Sequence, residues 1–553
     1  MFKSLQGYFS TLRPIPVSIA TSGLALWLLI FYNRRFWSET WLALPTHEPK
    51  DIAFLVGLFL ALWLLLTAIL NLFAWRGLFP WLMVFVLMVS ASAAHFMDSY
   101  GIFINRDLIH SIRETDSREA LDLVSLTLLA NLLFWGLIPA WLVRRLPIAF
   151  AGLSPVRIGK QILFSLACAL VAGVLVYGNF SYYAAFFRNH GQVRYYINPS
   201  NYFYAVFSFV RRTLREAPVP LAPVAADVRM NPGFAPKKSV LWVMVVGETA
   251  RAANFQLGGY PRETNPQLSA IPGLIYYSDV HSCGTDTNES LPCMFSNLSR
   301  KDYSTTAAAR RENILDVMKR AGVRAVWLDN NTGCKNICKR VETVELRDAK
   351  VPGICDHGEC YDSVLQYEME RQLDPARPFT LMVMHQNGSH GPAYYKRYPD
   401  AFKRFVPACE SGELYDCKQE QIVAAYDNTI LYTDHNLAEV VRFFEKNSDR
   451  YTGGLFYISD HGESLGENNL YLHGVPYTFA PEAQKHVPMM LWFTPDYPAE
   501  SGIDTACLTA RRGEAYTHQN LFHTLMGLMA LESADYRAEL DLTAACRAKG
   551  KGE

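Results

Sequence analysis

The chain has 553 residues, 50% hydrophobic and 19% charged, with 52 basic residues balancing 52 acidic ones. That length calls for more than one domain, and zero net charge argues against a general nucleic-acid binder, which carries a basic excess. A mean hydropathy of +0.03 is high for a water-soluble enzyme, and the apolar residues are unevenly spread.

Five long apolar runs fall within the first 180 residues, at 16–32, 52–75, 78–97, 123–143 and 162–180. None contains Asp, Glu, Lys or Arg, and aromatic residues collect near their ends. Runs of about 17–25 such residues cross a bilayer as helices. A five-span membrane domain over 1–180 is expected. The first run follows Lys3 and Arg13 without a small-residue cleavage site, which reads as a retained span.

With the N-terminus in the cytoplasm, Lys3, Arg13, Arg76, Arg144, Arg145, Arg157 and Lys160 lie inside. Arg34, Arg35, Lys50, Arg106, Arg113 and Arg118 lie outside, a weak bias. The cysteines point the same way. Cys168 lies in the fifth run, and all the others follow residue 280 as near neighbours: Cys283 with Cys293, Cys334 with Cys338, Cys355 with Cys360, Cys409 with Cys417, leaving Cys507 and Cys546. Local pairs suit disulfides in an oxidising compartment such as the periplasm. The competing reading is a zinc site built from Cys334, Cys338, Cys355 and Cys360.

Residues 181–238 change character. Tyr182, Tyr183, Phe186, Phe187, Tyr195, Tyr196, Tyr202, Phe203, Tyr204, Phe207 and Phe209 are interrupted by Arg188, Arg211 and Arg212. The composition fits helices at a membrane surface, with core packing in the soluble domain as the alternative. Ala217-Pro218-Val219-Pro220-Leu221-Ala222-Pro223 reads as an extended linker.

From Ser239 onward, short apolar runs alternate with helical stretches, the pattern of an α/β domain on a largely parallel sheet over 239–553. Strands are expected at 240–246, 324–328, 379–384, 454–459 and 487–493. Glu248, Asp329-Asn330-Asn331, His385 and Asp460-His461-Gly462-Glu463 fall at or just after the carboxyl ends of four of them. Ligands bind at that edge of open α/β sheets. Glu248, Asp460 and His461 offer two carboxylates and an imidazole, a set that suits zinc with one position left open. His390 and His473 are further ligand or acid/base candidates, although taken singly each is equally a loop histidine.

The segment from His281 to Phe295 places Thr285, Thr287 and Ser290 between Cys283 and Cys293. A hydroxyl at a helix N-terminus becomes a nucleophile if a metal lowers its pKa. The plain alternative is that these hydroxyls only cap a helix or turn.

Several of these segments together resemble a known family. Val246-Gly247-Glu248-Thr249-Ala250-Arg251, Ser282-Cys283-Gly284-Thr285-Asp286-Thr287, Pro292-Cys293-Met294-Phe295, Asp329-Asn330-Asn331, His385 through Pro392 and Ser459 through Asn468 match the EptA-like lipid A phosphoethanolamine transferases of Gram-negative bacteria, which include the mobile colistin-resistance enzymes. The resemblance implies a multi-pass inner-membrane protein with a periplasmic domain of alkaline phosphatase and sulfatase type. It implies Thr287 as a phosphorylated nucleophile and Glu248, Thr287, Asp460 and His461 around a catalytic Zn2+. Asn331, Lys335, His385, His390, Glu463 and His473 would line the phosphoethanolamine site or a second metal position, with His390 or His473 as the acid. Phosphatidylethanolamine would be the donor, a lipid A phosphate the acceptor, polymyxin resistance the outcome and a monomer the working unit. Asn288-Glu289 departs from the small or apolar residues frequent after the nucleophile.

The alternatives are transfer to a lipopolysaccharide core sugar or other envelope glycan, or a related membrane-anchored phosphodiesterase or phosphoglycerol transferase. A sulfatase would need Cys or Ser in a Cys/Ser-x-Pro-x-Arg setting, which Thr287 does not provide.

Overall fold

The structure is a computed structural model that describes residues 13–44, 48–114, 120–121, 123–150, 154–213, 220–355 and 359–547. They fall into two compact units, one of residues 1–110 with 124–213, the other of 111–123 with 214–553. Lys3, Arg118 and the first part of the 217–223 linker lie outside the described residues.

The first unit is helical. Four helices are long and apolar enough to cross a membrane: α3 (Pro49–Leu72), α4 (Phe79–Tyr100), α5 (Leu126–Arg145) and α6 (Pro155–Tyr177). The first apolar run is shorter than its composition suggests. It forms α1 (Val17–Phe31), followed after a bend of 59° by α2 (Arg34–Leu42), and the bent pair counts as a fifth candidate span. Asn33 sits at the bend, its amide donating to Leu28 O at 3.0 Å and to Asn198 O at 2.8 Å. Within α5 the chain widens to a π segment at Leu132–Leu137, just before Pro139, which has no N–H to offer the preceding turn. A polar clasp joins α3 to α6, with the Asn71 amide donating to Gln161 O and Ser165 Oγ, both at 2.9 Å. Such bonds between spans satisfy groups that lipid cannot.

The aromatic stretch forms α7 (Phe180–Asn189) and α8 (Ser200–Thr213). Tyr182, Tyr183 and Phe186 gather around Phe54 with ring centroids 4.8–5.0 Å apart. Phe203, Tyr204, Phe207 and Val210 of α8 are exposed, so the stretch packs inward on one side and keeps an apolar face outward.

The second unit is built on a seven-stranded sheet. Its strands are β1 (Ser239–Gly247), β2 (Ile275–Tyr277), β4 (Arg324–Asp329), β5 (Glu342–Glu345), β6 (Phe379–His385), β7 (Tyr451–Ser459) and β8 (Met489–Phe493), in spatial order β2-β8-β7-β1-β6-β4-β5. A side ribbon pairs β3 (Asp279–His281) in parallel with β9 (Ala515–Thr517). The five strands from β7 to β5 are parallel; β8 runs against them, and β2 pairs antiparallel to β8 and so runs with them. β1 and β7 are buried nearly end to end, as expected where both faces of a parallel sheet are covered. The register sets Ser459 beside Gly247 and His385 beside both Val246 and Asp329. The carboxyl ends of β7, β1, β6 and β4 are therefore level.

All five cysteine pairs are disulfides: Cys283–Cys293, Cys334–Cys338, Cys355–Cys360, Cys409–Cys417 and Cys507–Cys546. The cysteine zinc site is excluded, because its sulfurs are bonded to one another. Cys168 is free and buried.

Candidate metal centre and nucleophile

Glu248 follows β1, and Asp460 and His461 follow β7, the neighbouring strand. One ligand atom from each lies within 4.8 Å of the others, and all three side chains are buried. His461 Nδ1 lies 2.9 Å from Gly462 O, so Nδ1 carries the proton and Nε2 presents a lone pair. That lone pair meets Glu248 Oε1 and Asp460 Oδ2, each at 3.5 Å. Asp460 Oδ2 has no hydrogen-bond partner among the described residues. Lone pairs converging on one buried point repel unless a cation sits among them, so the residues fit a metal ion.

The surrounding backbone fixes the ligands. Asp460 Oδ1 accepts from Thr249 N at 3.1 Å and His461 N at 2.7 Å. Glu248 Oε1 accepts from the Thr249 hydroxyl at 2.6 Å, and Oε2 from the Asn331 amide at 2.9 Å. Burial alone would push the Glu248 carboxyl up; the charged His473 imidazole and the Thr249 bond hold it low instead. Burial and the Glu248 charge push Asp460 up.

Thr287 is the first residue of α9 (Thr287–Met294). The cap is Asp286, whose side chain accepts from Glu289 N at 3.1 Å. The three hydroxyls are thus not the cap. Thr285 donates to Val475 O at 2.6 Å, Ser290 Oγ accepts from Gly284 N at 2.9 Å, and Thr287 turns to the ligands. Its hydroxyl donates to Glu248 Oε2 at 3.1 Å, with His461 Nε2 3.4 Å away.

Beside this cluster, His473 Nδ1 meets Glu463 Oε2 at 2.8 Å, and the Tyr394 hydroxyl donates to the other Glu463 oxygen at 2.6 Å. The His473 ring lies 4.4 Å from that of His461 and 5.6 Å from that of His390. Burial opposes charge on His473, but Glu463 outweighs it and lifts the imidazole to about 9. Burial pushes His390 down to about 3. Two neighbouring imidazoles are held in opposite protonation states at neutral pH. His385 Nδ1 lies 3.3 Å from Asp329 Oδ2, while its buried Nε2 has no hydrogen-bond partner among the described residues.

Residues 241–531 match the sulfatase family model, and residues 62–214 match that of phosphoethanolamine transferase EptA/EptB. Phosphoethanolamine transferase EptA of Salmonella typhimurium is 36% identical over 546 residues, 97% of this chain and 98% of its own. Phosphatidylethanolamine transferase Mcr-1 of Escherichia coli is 33% identical, over 87% of this chain and 90% of its own. The integral membrane lipooligosaccharide phosphoethanolamine transferase A of Neisseria meningitidis superposes with a TM-score of 0.92 at 32% identity, covering 97% of this chain and 100% of that one. The chain belongs to the EptA family of phosphoethanolamine transferases.

The transferase is an inner-membrane protein with its catalytic domain in the periplasm. Of the residues expected at the site, Glu248, Thr287, Asn331, Asp460 and His461 meet directly, and His390, Glu463 and His473 adjoin them. His385 reaches the same edge through the β6 register. In the loop after β4, the Lys335 ammonium donates to Thr332 O at 3.2 Å and Thr332 Oγ1 at 3.1 Å. It lines an open groove of about 610 Å3 with Lys339 and Glu345. Glu289 pairs with Arg300 at 3.3 Å, which supplies a partner for the unusual carboxylate after the nucleophile.

Sequence reasoning missed the supports. Asp362 accepts from the Asn330 amide, Asn387 N and Gly388 N at 2.8–2.9 Å, tying the loops after β4 and β6 together. Gly388 has φ +54°, and a Cβ there would lie 2.6 Å from Glu248 O. A glycine between His385 and His390 was the available signal; Asp362 offered none.

Proposed function

We propose that the transferase moves phosphoethanolamine from phosphatidylethanolamine to a lipid A phosphate through a phosphodiester on Thr287. The observation that carries this reading is the Thr287 hydroxyl, turned 3.1 Å from Glu248 and 3.4 Å from His461, beside Asp460 Oδ2, which has no hydrogen-bond partner among the described residues. Mixed oxygen and nitrogen donors favour zinc, held by Glu248, Asp460, His461 and Thr287. When bound, zinc lowers the pKa of the Thr287 hydroxyl and offsets charge on the phosphoryl oxygens.

Thr287 Oγ1 attacks the donor phosphorus, and Glu248, which faces the hydroxyl, takes its proton. Glu248 is a weak base, so this transfer depends on the lowered hydroxyl pKa. The P–O bond to diacylglycerol breaks, and His473, charged beside Glu463, protonates the departing oxygen. A lipid A phosphate oxygen then attacks the same phosphorus, its proton passing to the now neutral His473, and Thr287 leaves with the proton returned from Glu248. Asn331 holds Glu248 in place; His385, His390 and Lys335 complete the head-group surroundings. Masking a lipid A phosphate charge in this way gives polymyxin resistance. Residues 1–180 serve as anchor, 181–238 as interfacial connection and 239–553 as catalytic domain.

The test is mass spectrometry of lipid A and core from cells lacking other such transferases, expressing either the wild type or Thr287→Ala. A phosphoethanolamine adduct on lipid A with the wild type alone is expected. Adduct on the core alone refutes the acceptor, and full activity in a folded Thr287→Ala refutes the nucleophile.

A further inference from the structure

His518 is wholly buried between the two segments that meet at the site. It follows β9, whose pairing with β3 continues as His518 N donates to His281 O at 3.1 Å. β3 runs directly into the nucleophile segment, and β7 into Asp460 and His461. The imidazole joins the two. Its Nδ1 accepts from Cys283 N at 3.1 Å, and its Nε2 donates to Ser459 O at 2.9 Å. An amide can only donate and a carbonyl can only accept, so the ring must be neutral with its proton on Nε2. Burial favours the same state, holding the group down to about 4.

We infer that His518 is a positioning residue that sets the distance between Thr287 and the Glu248–Asp460–His461 cluster by clamping Cys283 to Ser459. The inference rests on the reading of Thr287 as nucleophile. A rigid ring with an acceptor on one edge and a donor on the other couples two main-chain segments without a water or a flexible side chain. The segment around Cys283 has one longer route to the ligands, from Ser282 N to Lys485 O at 2.8 Å and from Gly462 N to the neighbouring Gln484 O at 3.0 Å, while Gly284 N to Ser290 Oγ at 2.9 Å stays within the nucleophile segment. The Ser459 hydroxyl is likewise committed, accepting from Ala250 N at 2.9 Å. The His518 ring is the direct link, one side chain long, from the nucleophile segment to the strand that ends in Asp460 and His461. Displacements near 1 Å at a reacting atom cost about 10²-fold in rate.

The experiment uses the full chain in detergent, in excess over phosphatidylethanolamine, and follows diacylglycerol release in a single turnover. His518→Asn keeps an acceptor near Nδ1 and loses the bond to Ser459. His518→Gln keeps a donor near Nε2 and loses the bond to Cys283. A clamp fails when either end is cut, so both variants should lower the rate constant at least tenfold, with zinc content and reaction amplitude retained. A wild-type rate constant in either variant overturns the inference. So does a fall in amplitude at unchanged rate constant, which is the mark of a partly unfolded sample. The parent reading is judged separately, in the wild type alone, by phosphoethanolamine on the Thr287 peptide. Its absence there refutes the nucleophile, whatever the variants do.

Discussion

Replacing Gly388 by alanine perturbs the site without touching any donor atom. The position has φ +54°, a conformation that costs an L-residue roughly 1–2 kcal/mol. The added Cβ would lie 2.6 Å from Glu248 O and 3.0 Å from both Glu248 N and Cβ, where ordinary contact begins at 3.4 Å. Main chain, not a flexible tip, must yield by the difference of 0.8 Å. Overpacking of this kind costs about 1–3 kcal/mol, so the sum is about 2–5 kcal/mol. At roughly 2 °C per kcal/mol for a domain of this size, melting should fall by about 4–10 °C. The displaced residue carries a proposed metal ligand, so turnover should fall by about 10²-fold even well below the melting point. Thermal unfolding and lipid A modification, measured on the same purified full chain, test both. A Gly388→Ala protein with wild-type melting and wild-type turnover would refute the close-approach argument.

Three other outcomes are expected. Stripping metal with a chelator should lower the melting temperature and abolish transfer, and zinc at about 100 times its dissociation constant should restore about 2.7 kcal/mol; Asp460→Asn should lose most of that zinc-dependent shift. Asp434 is pushed by burial up to about 7, while accepting from Gln267 N at 3.0 Å and Leu268 N at 2.9 Å. Because the folded state keeps its proton longer than the unfolded chain does, the burial penalty is absent below about pH 4 and complete above about pH 7. Stability from this group therefore falls as pH rises through that window, and denaturant titrations of Asp434→Asn should show a shallower slope there. Finally, Cys507–Cys546 spans 39 residues and Cys334–Cys338 only 4. Loop-closure entropy makes the first worth about 4 kcal/mol and the second about 2 kcal/mol, so paired Cys→Ala variants should differ by that margin in chemical denaturation.

The parts of this fold legible in the sequence are those where one physical demand dominates. A charge-free run near 20 residues long has few alternatives to crossing a membrane, and residues at strand ends betray the ligand edge. Four disulfide pairs were readable because close spacing leaves few other partners, and Cys507 with Cys546, 39 residues apart, were the two left over. Elements set by tertiary contact were not. β5 at Glu342–Glu345 has a largely exposed, charged pattern, and only its neighbour β4 makes it a strand. β2 is three residues long. The bend after α1 depends on Asn198, far along the chain. At the site, the ligands stood out by chemical type, whereas Asp362 and His518 look ordinary until the fold brings distant loops together. Glu289 shows the same limit: its side chain could be read as an anomaly, but its pairing with Arg300 could not.

The register that sets Ser459 beside Gly247 joins the carboxylates of one cluster across more than two hundred residues of intervening chain. A proteolytic fragment lacking either strand lacks part of the proposed ligand set, and during synthesis that set cannot assemble until β7 has emerged and paired. Pairings so distant are slow to form. If the proposed site takes up metal, that uptake reports the pairing of β1 with β7, and a pulse of zinc during refolding would time the moment at which these two central strands lock.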